Sequence, residues 1–134
     1  MRRIDKIIIH CSATNESQDF CVRDIDRWHK ARGWSEIGYH FVIKLDGTLE
    51  VGRDIEKVGA HCFGHNKRSI GICYIGGCDE NGKPKDTRTE KQKRALRSIV
   101  GILKQDYPKA TVHGHNELCN GKKACPSFEV KTEL

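Results

Sequence analysis

Proline is scarce, at three residues in 134, and no stretch rich in proline, glycine and serine interrupts the chain. A flexible linker between two domains is therefore not expected, and the lack of any internal repeat excludes a solenoid or an array. Long apolar runs are also missing. The most hydrophobic stretch near the start, residues 4 to 11 (IDKIIIHC), is too short and too soon broken by charge for a membrane span or the core of a secretory signal. Aromatic residues make up 7% of the chain, and they do not line up with the cationic residues as a base-stacking strip would require.

What the chain does contain is charge and cysteine. Lys and Arg number 24 against 18 Asp and Glu, a formal net charge of +6. Charged residues at 31% and hydrophobic residues at 37% suit a folded globular domain and exclude a disordered tail. A chain of this length buries roughly two-thirds of its unfolded surface, so it needs no disulfide framework to fold. Seven cysteines, at positions 11, 21, 62, 73, 78, 119 and 125, are an odd number with no secretory segment before them. They read as thiols of a protein that begins in the cytoplasm. The excess of positive charge favours an anionic partner, which leaves nucleic acid, an acidic membrane face and an acidic wall polymer in play.

Apolar periodicity predicts a single α/β domain spanning residues 1–134, with a central mixed β-sheet flanked by α-helices. The β-branched run 4 to 11 reads as a strand buried on both faces, with His10 at its end. Val22, Ile25, Trp28 and His29 recur at near-helical spacing up to Gly33, giving a helix over about 21–32. Residues 39–44 and 48–52 alternate as strands around Asp46-Gly47, a strong hairpin signal. Another strand is expected over 70–75 and a loop over 77–88. Thr89 and Gln92 form a capping-box pattern ahead of a helix with Leu96, Ile99, Val100 and Leu103 on one face, ending before Pro108. A last strand is expected over 110–113, followed by a mostly irregular tail.

Several potential metal ligands fall where loops leave strands: His10, His113, His115 and Cys125. Strand ends meet at one rim of a sheet. Zinc takes imidazole nitrogen and thiolate sulfur, and a catalytic site uses three protein ligands so that the fourth position stays open. Spacing alone does not choose between His113 and His115, which share a face of a regular strand. A histidine closing an apolar strand is also commonly a packed core residue, and a lone intracellular cysteine commonly acts as a small hydrophobe.

The blocks IIHCSAT (8–14), RxIDxWHxxRGW (23–34), GYHFVIKLDGTLEVGRD (38–54), SIGICYIGG (69–77), HGHNEL (113–118) and KACPSF (123–128) carry a wider resemblance. In this order, the chain resembles the zinc-dependent N-acetylmuramoyl-L-alanine amidases of the type-2 amidase and peptidoglycan-recognition superfamily, above all the small phage lysozyme-type amidases. The resemblance implies one Zn²⁺ held by His10, His115 and Cys125, with Tyr39 and Lys123 as catalytic side chains. It also implies His61 and Asn66 along the substrate groove. The implied activity is hydrolysis of the amide between N-acetylmuramic acid and L-alanine in peptidoglycan. Glu117 is a candidate for orienting a ligand histidine.

A rival reading is a peptidoglycan-binding module without catalysis, which in this superfamily typically accompanies loss of the ligand cysteine. Cys125 is retained here. The expected protein is a monomer that binds muropeptide and neither nucleic acid nor membrane. It would be a phage or prophage endolysin, cytoplasmic until the inner membrane is breached, with a secreted effector as the alternative. Cys119 is a candidate oxidation partner for Cys125 on loss of the metal.

Overall fold

Three consecutive isoleucines, Ile7 to Ile9, leave neither face of a strand fit for water, so this segment must lie inside a sheet that is covered on both sides. The computed structural model, which describes residues 1–118 and 124–133, places it there. Strand β1 (Lys6–Cys11) is followed by a short β2 (Thr14–Asn15), helix α1 (Val22–Ala31), β3 (Phe41–Ile43) and β4 (Leu49–Val51). After a 3₁₀ turn at Asn66–Arg68 come β5 (Ser69–Tyr74), β6 (Gly77–Cys78), helix α2 (Glu90–Asp106), β7 (Thr111–Gly114) and two one-turn helices, α3 (His115–Leu118) and α4 (Val130–Glu133).

The main sheet has the order β4-β3-β5-β1-β7, and a second, two-stranded sheet joins β2 to β6. In the main sheet β3 and β4 are antiparallel and every other pair is parallel, so the expected mixed sheet is present. Alternation then divides the core. Ile7, Ile9, Ile70, Ile72 and Tyr74 face Leu96, Ile99, Val100 and Leu103 of α2. On the other face Val42, Cys73 and Ile75 pack with Ile25 of α1 and with Ile37. Burying each large apolar side chain contributes roughly 1.5–3 kcal/mol. The two helices therefore hold the sheet from both sides and leave its strand ends open for chemistry.

Local signals explain where the elements begin and stop. Thr89 Oγ1 accepts the Gln92 backbone N–H at 3.1 Å, and Gln92 Oε1 accepts the Thr89 N–H at 3.0 Å, closing the capping box. Gly47 sits at φ +86° in the turn that sends β3 back into β4, a conformation that disfavours a side chain. Two expectations need correction. The segment 77–88 is not wholly loop, because Gly77–Cys78 pairs with β2. The tail also holds two helical turns. Both elements are too short to leave a periodic signature. Among the described residues no helix is long and apolar enough to cross a membrane.

Candidate metal centre

Two parallel strands deliver two histidines to the same place. β1 and β7 run in register with Ile9 beside Gly114, so the next residues, His10 and His115, emerge as neighbours. Their rings lie 4.7 Å apart between centroids. Cys125 arrives on the segment before α4. Its Sγ accepts the Cys11 backbone N–H at 3.2 Å and lies 3.9 Å from His10 Nδ1. Three bonds fix that segment: Tyr74 donates its hydroxyl to the Pro126 carbonyl (2.6 Å), Ser127 donates to the Gly77 carbonyl (2.9 Å), and Asn116 N–H donates to the Cys125 carbonyl (2.8 Å). The Arg88 guanidinium, 3.5 Å above the Phe128 ring, adds a further clamp.

One donor atom from each of His10, His115 and Cys125 lies within 4.8 Å of the others. Zinc bonds of about 2.0–2.3 Å to nitrogen and sulfur can be met by donors at this spacing with small adjustments. His115 joins the cluster, whereas His113 is engaged by Thr111 Oγ1 at 2.6 Å and by Glu117 Oε2 at 3.2 Å. Glu117 also reaches Lys131 at 3.9 Å.

The protonation chemistry of the donor set suits a cation. Burial, reinforced by the neighbouring His61 and His115, holds the His10 imidazole well below its ordinary pKa, so it is neutral and has a lone pair to give. The hydrogen bond to the Cys11 sulfur, together with burial, pushes the Cys125 thiol up. A bound dication reverses that preference, since a coordinating thiol is deprotonated outright. Two imidazoles and one sulfur form a donor set that could hold a metal ion.

Tyr39 borders this cluster, its ring 5.0 Å from that of His10 and 5.5 Å from that of His29. Burial raises its phenol well above the ordinary value, leaving a protonated donor at neutral pH. Strand alternation would send His40 to the face opposite Tyr39, yet both border the histidine cluster, His40 lying 5.8 Å from His61 between ring centroids. Regular strand begins at Phe41, so alternation does not govern the pair.

His61 and Asn66 have their polar atoms turned into the protein. His61 Nδ1 lies 2.8 Å from His10 Nε2, and its Nε2 lies 3.2 Å from Ser69 Oγ. Asn66 Oδ1 accepts the backbone N–H groups of both His61 and Cys62 at 2.9 Å. The link from His61 to His10 has no counterpart in sequence spacing, because a loop residue and a strand residue meet there through tertiary packing. Lys123 and Cys119 lie outside the described residues. Cys11, Cys21, Cys73, Cys78 and Cys125 are thiols.

A family model described as N-acetylmuramoyl-L-alanine amidase matches residues 1–128. The endolysin of Escherichia phage T7 is 48% identical over 127 residues, which cover 95% of this chain and 83% of that protein. The endolysin of Klebsiella phage KP32 is 46% identical over 126 residues, covering 94% and 82% respectively. Among solved structures, the N-acetylmuramoyl-L-alanine amidase LysC from Clostridium intestinale superposes with a TM-score of 0.84 at 31% identity, covering 98% of this chain and 82% of its own.

Proposed function

The chain belongs to the N-acetylmuramoyl-L-alanine amidase family, and from that premise we propose that it hydrolyses the amide between the lactyl group of N-acetylmuramic acid and L-alanine in peptidoglycan. The observation that carries the proposal is the convergence of His10, His115 and Cys125 with donor atoms within 4.8 Å. One Zn²⁺ is the cofactor that this donor set favours. When bound, zinc supplies Lewis acidity toward a carbonyl and makes water a competent nucleophile near neutral pH.

The side chains around it divide the remaining work. The protonated Tyr39 phenol, beside His10, orients the attacking water by hydrogen bonding and helps pass a proton toward the departing amine. To Lys123, two residues before Cys125 in the sequence, we assign stabilisation of the negative charge that grows on the carbonyl oxygen. The loop containing His61 and Asn66 forms one wall of the substrate groove. The +6 charge suits an acidic wall polymer. We read the whole chain as one catalytic domain that acts as a monomer without nucleic acid. It is held in the cytoplasm as a phage or prophage endolysin and reaches the wall on lysis. The likeness to two phage endolysins supports the endolysin part of this reading, and a holin gene beside its own would test the rest.

The decisive experiment incubates purified protein with muropeptides, with and without a chelator, and identifies the broken bond by mass spectrometry. The expected products are a free muramic acid carboxylate and a peptide beginning with L-alanine, formed only without chelator and restored by added zinc. Cleavage between sugars, or cleavage indifferent to chelation, would overturn the proposal. Binding of muropeptide without cleavage would favour the recognition module instead.

A further inference from the structure

A histidine that gives one ring nitrogen to a metal must carry its proton on the other, so whatever accepts that proton decides whether the ligand is ready. His10 presents Nδ1 toward Cys125 Sγ, at 3.9 Å, and Nε2 toward His61 Nδ1, at 2.8 Å. Two arrangements of protons satisfy the shorter contact. In one, His10 Nε2–H donates to His61 Nδ1, leaving His10 Nδ1 bare on the side of the cluster. In the other, His61 donates, and the His10 proton then occupies Nδ1, where the metal would bind. The first requires His61 to carry its own proton on Nε2, and Ser69 Oγ stands 3.2 Å from that atom as an acceptor. A hydroxyl can fill that role because its hydrogen rotates.

The geometry points to His61 as a positioning residue for the metal centre: it accepts the His10 Nε2 proton and holds His10 in the tautomer whose Nδ1 lone pair faces the ion, with Ser69 completing the relay. This inference rests on the reading of His10, His115 and Cys125 as a zinc site. It assigns His61 a part in metal binding that its place beside the groove does not suggest.

The surroundings of His61 are built to fix its ring. A Cβ at Gly71 would lie 2.6 Å from His61 Cγ, and one at Gly59 would lie 2.8 Å from His61 Cδ2, so both positions leave a slot that the imidazole fills. Asn66 Oδ1 ties down the backbone on either side of the side chain through the N–H groups of His61 and Cys62. The His61 ring stands at 88° to that of His10, edge toward face, with centroids 4.9 Å apart. Both nitrogens of His61 are therefore committed inside the protein.

The test compares His61→Leu, which keeps bulk and removes the acceptor, with His61→Asn, whose Oδ1 can occupy the place of Nδ1. Zinc affinity is read by competition with a chromophoric chelator, alongside the visible spectrum of the Co²⁺ form and thermal unfolding of the metal-free proteins. Zinc binding should weaken about 10–100-fold in His61→Leu and recover most of that loss in His61→Asn. Affinity within twofold of wild type in a folded His61→Leu overturns the inference, as does equal loss in both variants. Should His61→Leu not fold, ¹⁵N spectra of the zinc-loaded wild type decide: His10 coordinated through Nδ1 and protonated at Nε2 supports the relay, and coordination through Nε2 ends it. A wild type that neither holds zinc nor cleaves muropeptide would instead bring down the underlying reading of the site.

Discussion

Tyr39 differs from the three side chains of the candidate metal centre in what its loss should do. Its hydroxyl adds nothing to the donor set, since the cluster is made by His10, His115 and Cys125. Its ring packs 5.0 Å from His10 and 5.5 Å from His29, a packing role that phenylalanine reproduces. Tyr39→Phe should therefore leave zinc content and unfolding midpoint near wild type while lowering turnover about 10²–10⁴-fold, the usual range for a general acid–base contribution. Atomic absorption on the purified variant, together with muropeptide turnover, checks both halves. Undiminished turnover would remove Tyr39 from the mechanism, and lost zinc would mean that the ring is a structural prop for His10.

At the scale of elements, Gln92 shows how one residue can serve two purposes. The capping box uses its Oε1, while its Nε2 crosses the interface between α2 and the sheet to reach the Ile75 carbonyl at 2.9 Å and the Ile43 carbonyl at 3.4 Å. The Ile43 carbonyl, at the end of β3, also accepts the Ile75 N–H at 2.9 Å, whereas the Ile75 carbonyl lies just past the end of β5. Gln92→Ala should thus cost about 1–3 kcal/mol for the buried Ile75 carbonyl that loses this donor, plus part of the cap. Thr89→Ala, which loses the cap acceptor and a bond to the Leu45 carbonyl, should cost about 1 kcal/mol. Urea unfolding of the two variants tests the order, and a Gln92→Ala no less stable than Thr89→Ala would show that the strand carbonyls find water instead.

The same residue marks what a sequence discloses and what it withholds. The box was legible because its partners are three positions apart and the helix face behind it is periodic. The role of Gln92 under the sheet was not, since the Ile43 and Ile75 carbonyls come near only after β3, β5 and α2 have packed. The site divides in the same way. That His10, His115 and Cys125 come together was legible once the motif blocks were taken together. The His61 relay depends on a loop folding over Gly71, and β6 depends on the chain turning at Gly76 and Gly77, where positive φ angles of 125° and 97° allow a two-residue pairing.

For the whole molecule, buried histidines set the response to acid. His29 Nδ1 accepts the Gly38 N–H at 2.9 Å, and His40 Nδ1 accepts the Gly71 N–H at 3.0 Å, so each must stay neutral to keep its bond. Burial, with Arg32 and Arg53 nearby outweighing Asp26, holds His29 down at about 4. Burial also holds His40 at about 4, with Arg2 and Arg53 adding to it against Asp54 and the Lys57 carbonyl. Between the ordinary value of 6.5 and about 4, the unfolded chain binds protons at these positions that the folded protein refuses. Stability therefore rises with pH across that window and is lost progressively as the pH falls below about 6.5. The full shift corresponds to roughly 3 kcal/mol for each histidine. Metal-free protein should unfold at distinctly lower urea at pH 5 than at pH 7, and His40→Gln should flatten the dependence by removing one titrating group. The lowered carboxylates Asp24, Asp26, Asp46 and Asp86 act below their ordinary 3.8 and leave this window to the imidazoles. A midpoint unchanged from pH 7 to pH 5 would mean that these rings are protonated in the folded state and that the two backbone N–H groups have found other acceptors.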